Sequence, residues 1–237
     1  IEIALDEDSV RRAIRQLKNW NVEAIGVCLL WSILNATHER RVGEIIEEEW
    51  PGIPYSLSSN VQPIIREYHR TSCVALDAML KPIMTNYSKD FRKTLGHYGF
   101  KREFLMVVSS GGIMTASQAV AKPVYTLFSG PAMGPIAGFY FAKHEQTDNC
   151  VVIEMGETSF DVSTVIDGMP TITKEARVNG HPTGVASIDI LTLGAGGGSI
   201  AYVDSGGLLH VGPESAGAQP GPPCYGEGGN EPTVTDP

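Results

Sequence analysis

One stretch of the sequence concentrates groups that could do chemistry: Ile153-Glu154-Met155-Gly156-Glu157-Thr158-Ser159-Phe160-Asp161-Val162-Ser163. It reads as a buried strand, a tight turn of small and hydroxyl residues, and a second strand. A turn of this type can aim successive backbone N–H groups at an oxyanion. The hydroxyls of Thr158 and Ser159 add donors, and Gly156 allows close approach. Glu154 and Asp161 flank the turn, where two carboxylates can hold a hard divalent cation through water. An ordinary hairpin with a polar turn fits the same pattern.

A second candidate is Leu193-Gly194-Ala195-Gly196-Gly197-Gly198-Ser199-Ile200-Ala201. Gly194, Gly196, Gly197 and Gly198 let a backbone pass close to a bulky group without Cβ clashes, and a plain flexible loop is the alternative. It is not a P-loop, because no Gly-Lys-Ser/Thr follows. The third glycine of a dinucleotide fingerprint would fall at Ser199, and a helix over about 185–191 is expected to precede the loop. A third stretch, Val211 to Gly226, is dense in Gly and Pro and reads as a shaped loop rather than a linker. Cys224 within it has no local partner base and reads more readily as a buried, inert thiol than as a nucleophile.

These segments need a scaffold. Asp6 to Asn19 reads as an amphipathic helix and Ala24 to Leu30 as a strand covered on both faces. His38 to Trp50 is a second helix, stopped by Pro51-Gly52, and a short strand near Tyr55–Leu57 follows. Thr71 to Tyr98 is the longest helical stretch, with Leu76, Met79, Leu80, Ile83, Met84 and Tyr87 as its apolar stripe and Pro82 interrupting it. Phe104 to Val108 is a further buried strand. Ser109-Ser110-Gly111-Gly112 ends it, bordering a site or turning into a helix. The small-residue run from Ser129 to Gly138 continues as helix to about Lys143, for tight packing or as a hinge. Phe160 to Ile166, a hairpin at Asp167-Gly168 and a return over Pro170 to Ala176 complete the pattern. Such strand–helix alternation argues for an α/β layer.

The 237 residues carry 18 Lys+Arg against 27 Asp+Glu, a net charge of −9. That balance disfavours binding nucleic acid through its phosphates. All 18 basic residues lie at or before Arg177, while residues 184–237 hold 13 of the 26 glycines. Phosphates held by the later loops would therefore be held by amides and metal, not by side-chain cations. The apolar run from Ala24 to Leu34 is far too short to cross a bilayer, and no signal peptide is visible. Four scattered cysteines and six unpaired histidines offer neither a zinc pattern nor a disulfide framework. A reducing cytoplasm is the simplest compartment. The ends, Ile1 and Pro237, read as those of a piece of something longer.

The Gly156 turn resembles the second phosphate motif of the superfamily holding actin, the 70-kDa heat-shock proteins and the sugar kinases. Within it the chain is most similar to the hydantoinase A/5-oxoprolinase family, over essentially its whole length. The resemblance rests on Arg66–Thr71, Ser110–Gly112, Ser129–Ala132, Gly194–Ala201, Val211–Ala218 and Pro222–Gly226 together. It implies a partial two-lobe, actin-like (ribonuclease H-like) ATPase fold, with 1–145 ending the first lobe and 146–237 starting the second. It implies ATP and Mg²⁺ between the lobes, bound through Gly156, Glu157, Thr158, Ser159, Gly194, Gly196, Gly197, Gly198 and Ser199, with Glu154 and Asp161 towards the metal. The implied activity is ATP-dependent ring opening of a cyclic amide or imide, the carbonyl oxygen being phosphorylated and water opening the ring. Acetone and acetophenone carboxylase large subunits share the resemblance and give the alternative. A B-type partner subunit in a hetero-oligomer is also implied.

The turn departs from the family's Asp-Met-Gly-Gly-Thr. Glu154 keeps a carboxylate, but Glu157 places a negative charge where phosphate would meet glycine. Two like charges about 4 Å apart at an effective dielectric near 20 repel by roughly 4 kcal/mol, about a thousandfold in affinity. A degenerate, non-nucleotide-binding paralogue is therefore a further reading.

Overall fold

The computed structural model describes residues 3–174 and 176–237. The elements in chain order are α1 (Glu7–Asn19), β1 (Ile25–Val27), α2 (Thr37–Glu49), β2 (Tyr55–Leu57), α3 (Ser58–Val61), α4 (Glu67–His97), β3 (Leu105–Val107), β4 (Ile113–Thr115) and α5 (Ala116–Ala121). There follow α6 (Met133–His144), β5 (Cys150–Met155), β6 (Phe160–Ile166), β7 (Met169–Pro170), β8 (Ile172–Thr173), β9 (Arg177–Val178), β10 (His181–Pro182), β11 (Ser187–Ile188), β12 (Ile190–Leu193), β13 (Ser199–Val203) and β14 (Leu209–Ser215). The chain divides into two units. Unit 1 is Ile1–Ser129 with Thr173–Ser187, and unit 2 is Gly130–Ile172 with Ile188–Pro237.

In unit 1, the Asp6 carboxylate caps α1 by accepting from the Ser9 N–H at 3.0 Å, and Glu7 and Asp8 suit the positive end of the helix. α1 and α2 meet through an ion-pair lattice: Arg11 reaches Glu48 and Glu49, and Arg41 reaches Glu7, Glu44 and Glu48. Beneath it Ile14, Ile25, Val27, Val42, Ile45, Ile46 and Leu57 form the core. β1 and β2 pair in parallel, Ile25 opposite Tyr55 and Val27 opposite Leu57. The backbone of β1 runs close against α4: a Cβ on Gly26 would sit 3.4 Å from the Val74 carbonyl oxygen.

Several expectations change here. The regular strand at Ala24–Leu30 is confined to Ile25–Val27, and Leu30 is exposed. The apolar stripe expected to bury α4 does not do so, because Met79, Ile83 and Tyr87 are exposed. The helix instead buries Arg70, Cys73, Val74, Asp77 and Ala78, which share one face at three- and four-residue spacing. Leu105 is exposed rather than buried. Ser109–Gly112 turns between the antiparallel strands β3 and β4, with Val108 N–H donating to Gly112 O, rather than into a helix.

In unit 2, β12, β6 and β5 form an antiparallel sheet in that order, with β7 paired to β6. The hairpin expected at Asp167-Gly168 is present, and both residues have positive φ (51° and 72°), as a type I′ turn requires. α6 packs on β5. A Cβ on Gly138 would overlap the Val152 side chain, and one on Gly134 would lie 2.9 Å from Glu154 Oε2. The small-residue run thus serves close helix–strand packing. The other face of β5 is not buried as expected, since Val151, Ile153 and Met155 are exposed. The helix expected at Val185–Leu191 is absent. The alternation of Ile188, Asp189 and Ile190 instead belongs to strands, with β12 pairing to β6 from Ile190↔Ser163 to Leu193↔Phe160.

Candidate functional site

The β5–β6 hairpin and the glycine-rich loop come together within unit 2. Met155 pairs with Phe160, and Gly156 N–H donates to Ser159 O at 2.9 Å, closing the turn. The loop docks on that turn from one side. Gly197 N–H donates to Gly156 O at 2.9 Å and Gly198 N–H to Glu157 O at 2.7 Å. A Cβ on Gly196 would stand 2.6 Å from the Glu157 carbonyl and from the Ser159 nitrogen. The loop glycines are therefore spent first on reaching the hairpin's own backbone, a use of glycine the sequence leaves unspecified.

Further contacts brace the loop. Ser199 is buried, and its hydroxyl accepts from Gly196 N–H at 2.8 Å. Thr235 N–H and Oγ1 both donate to Gly197 O, and Ala216 N–H donates to Gly198 O. Gly194 lies at the exposed edge, where a Cβ on Gly212 would overlap its carbonyl oxygen.

The opposite side of the turn is open. Glu157 and Thr158 are exposed, and among the described residues neither their N–H groups nor the Thr158 hydroxyl makes a hydrogen bond. Two consecutive free amides beside a free hydroxyl form an oxyanion-accepting turn. Glu157 is absent from the residues with positive φ, so a side chain there strains nothing. Its stem runs back along the loop, with Cγ 3.0 Å from where a Cβ on Gly198 would lie. An exposed carboxylate is screened by water: at a dielectric near 80, repulsion at about 4 Å is about 1 kcal/mol rather than roughly 4.

Glu154 and Asp161 are directly paired across the strands, so their side chains share a face. Asp161 is partly engaged: Thr192 Oγ1 donates to Oδ1 at 2.5 Å and Ser159 Oγ to Oδ2 at 3.2 Å. Thr192, opposite Asp161 on β12, is a member of this row that the hairpin sequence alone could not reveal. Glu154 stands beside the first turn of α6, where the helix dipole favours its charge. Among the described residues no three acidic, His or Cys side chains converge as a ligand set.

Cys224 corrects an expectation, because it is exposed rather than buried. Its N–H donates to Asp236 Oδ1 at 2.8 Å, and the neighbouring carboxylate pushes its thiol above the usual range. It is thereby a poor nucleophile. Desolvation works against the Asp236 charge, yet donors from Cys224 and Thr233 hold that carboxyl down at about 2.

The two layered units and the hairpin with its docked loop define a partial actin-like ATPase fold. The structure aligns with the ATP-dependent caprolactamase of Pseudomonas jessenii at a TM-score of 0.80 and 36% identity, covering 98% of this chain and 34% of that one. It aligns with nucleotide-free acetone carboxylase at 0.77 and 27% identity, covering 98% and 33%. The chain belongs to the hydantoinase/oxoprolinase family. The hydantoinase/oxoprolinase model matches residues 70–237, and the model of that family's N-terminal region matches residues 1–50. The acetophenone carboxylase gamma subunit of Aromatoleum aromaticum is 40% identical over 239 residues, 98% of this chain and 32% of that protein. The chain thus spans about a third of the length of each of these relatives. No helix among the described residues is long and apolar enough to cross a membrane.

Proposed function

We propose that the protein containing this chain uses ATP to open the ring of a cyclic amide or imide. The observation that carries the reading is the β5–β6 turn, held from one side by Gly197 and Gly198 and presenting the free Glu157 and Thr158 amides on the other. Such an arrangement suits the terminal phosphates of a nucleotide. Likeness to a caprolactamase described as ATP-dependent supports the choice of cyclic amide.

In this reading the Glu157, Thr158 and Ser159 segment holds phosphate oxygens, while Gly156, Gly194 and Gly197 let them approach. Gly196, Gly198 and Ser199 brace the turn. Glu154 and Asp161, paired across the strands, would hold Mg²⁺ through water. ATP supplies the phosphoryl group that makes the ring carbon electrophilic. The chain's own contribution is to position that group and to neutralise charge on it. The same proposal assigns 1–145 to the end of one lobe and 146–237 to the start of the other. It also includes a B-type partner subunit, because the similar acetophenone carboxylase chain is itself a subunit.

Carboxylation of a ketone is the second reading, favoured by the 40% identity to that same subunit. Mg-ATP calorimetry on the full-length protein, followed by product analysis, tests both. Micromolar binding and amide-dependent ATP turnover without bicarbonate are the expected results. Turnover that requires a ketone and bicarbonate gives the second reading. Absence of Mg-ATP binding overturns both and leaves a non-nucleotide-binding paralogue.

A further inference from the structure

A second region of the chain is built for anions and takes no part in the hairpin. Along the later half of α4, Thr85, Ser88, Lys89, Arg92 and Lys93 recur at three- and four-residue spacing and share one face of the helix. With Ser117 of α5 they line an open groove of about 580 Å³. In a chain of net charge −9, this groove gathers three cations within five residues.

Arg11 and Arg41 are each spent on several glutamates, and Lys81 on Asp77. Lys89 and Lys93 make no ion pair among the described residues. Other cations of unit 1, Arg12, Arg40, Lys101 and Arg102 among them, also make no ion pair among the described residues; what sets Lys89, Arg92 and Lys93 apart is that they line one groove. Arg92 is half-exposed, pairs with Glu103 at 3.7 Å and lies over the Phe104 ring at 6.0 Å. Glu103 is itself engaged by the Ser117 N–H, at 2.9 Å, and by the Ser117 hydroxyl. Lys89, Arg92 and Lys93 against Glu103 and against Asp90, three residues before Lys93, still leave the groove net positive.

Ser88 supplies an independent observation. It is 5% exposed and lines the groove, yet its hydroxyl makes no hydrogen bond among the described residues. Its Oγ keeps contact with solvent, so the hydroxyl is free to donate into the groove. The Thr85 hydroxyl is likewise unengaged. Lys89 and Lys93 are one turn apart, roughly 6 Å along the axis, and Thr85 lies a further roughly 6 Å back. That length suits a small anion with more than one charged group better than a lone monoanion. A planar guanidinium beside free hydroxyls matches phosphate oxygens, which accept from several directions at once.

We propose that this α4–α5 groove binds a small polyanion carrying phosphate groups, with Lys89, Arg92 and Lys93 as charge partners and Thr85 and Ser88 as hydroxyl donors. The site is separate from the hairpin and does not depend on the ATP reading.

Tripolyphosphate titrated into the full-length protein by calorimetry, at low and at raised salt, tests it. Binding is expected to weaken as salt rises. The exposed triple variant Lys89→Ser/Arg92→Ser/Lys93→Ser is expected to lose at least about tenfold in affinity, since each charge-assisted bond is worth roughly that much. Ser88→Ala should lose about threefold. On the ATP reading the hairpin also takes tripolyphosphate, so the titration is run with Mg-ATP saturating the hairpin, and the groove is credited only with the binding that remains and that the triple variant removes. If the triple variant melts early, Arg92→Gln alone carries the same test. The proposal is overturned if wild type under Mg-ATP does not bind tripolyphosphate at low salt, or if the groove variants bind like wild type. Citrate binding as tightly as tripolyphosphate overturns the phosphate assignment.

Discussion

Glu39 in unit 1 and Glu157 in unit 2 are the same side chain in opposite circumstances. Glu39 is fully buried; it accepts from Leu29 N–H at 2.8 Å, Ser59 N–H at 2.8 Å and Ser58 Oγ at 2.6 Å. Ser58 Oγ in turn accepts from Arg70 Nε at 3.1 Å, while the rest of the guanidinium donates to Ile64 O and Leu29 O. One hydroxyl thus links a buried anion to a buried cation. Glu157 sits at the rim of a turn whose Glu157 and Thr158 amides have no partner among the described residues. A buried polar network is stable only when every member is satisfied. A binding turn is useful only while its donors remain unspent. The contrast separates charge used to specify a fold from charge left available to a ligand.

The largest effect should come from opening the closed cluster. Arg70→Ala strips donors from Ser58, Ile64 O and Leu29 O and leaves Glu39 without its linked cation. It should cost about 3–5 kcal/mol, read from urea unfolding of the full-length protein. A cost below about 1 kcal/mol would mean that water already enters the cluster and that the contrast with the hairpin is false.

Glu39→Gln should cost about 1.5–3 kcal/mol near neutral pH. Burial opposes the Glu39 charge, but the donated bonds outweigh it and hold its carboxyl below the ordinary 4.5. The wild-type advantage is therefore complete above about 4.5 and is lost as pH falls through the lower folded value. Thermal midpoints of wild type and variant, measured from pH 7 downward, should converge in that window. Parallel curves would show that the charge of Glu39 contributes nothing.

Gly196→Ala tests the clamp in unit 2. Its Cβ would press 2.6 Å from hairpin backbone atoms, which cannot swing aside as a side chain can. About 1–3 kcal/mol of stability should be lost, and on the ATP reading Mg-ATP affinity should fall with it. Unchanged values of both would place the loop off the hairpin. Glu157→Gly should be the mildest change. Stability should stay within about 1 kcal/mol, and Mg-ATP should bind about fivefold more tightly, the value of about 1 kcal/mol of screened repulsion.

Much of the scaffold was legible because local signals and tertiary structure agree. α1, α2, β2 and the Asp167-Gly168 hairpin fall where capping, periodicity and turn chemistry place them. α4 shows why the rest was not. Its long apolar residues advertise a core stripe, yet the helix buries Arg70, Cys73, Val74, Asp77 and Ala78. Arg70 and Asp77 lie at the correct period for that face. Assigning charged residues to solvent hides a core built partly of hydrogen-bonded charge. The segment 185–191 was misread because its apolar content is compatible with either period, and pairing of β12 to β6 decides. In the candidate site the turn and the loop were each visible in the sequence. Their docking, and the Thr192 bond to Asp161, depend on register between distant strands that no local pattern encodes.

The clamp of Gly197 and Gly198 on the hairpin also bears on how tightly a ligand can be held. Fixing one residue's backbone costs roughly 1–2 kcal/mol of conformational entropy. A loose four-residue turn, Gly156 to Ser159, would charge several kilocalories per mole against every binding event. Here the loop has already frozen that turn during folding, so an incoming anion would keep nearly all the free energy of the bonds it makes.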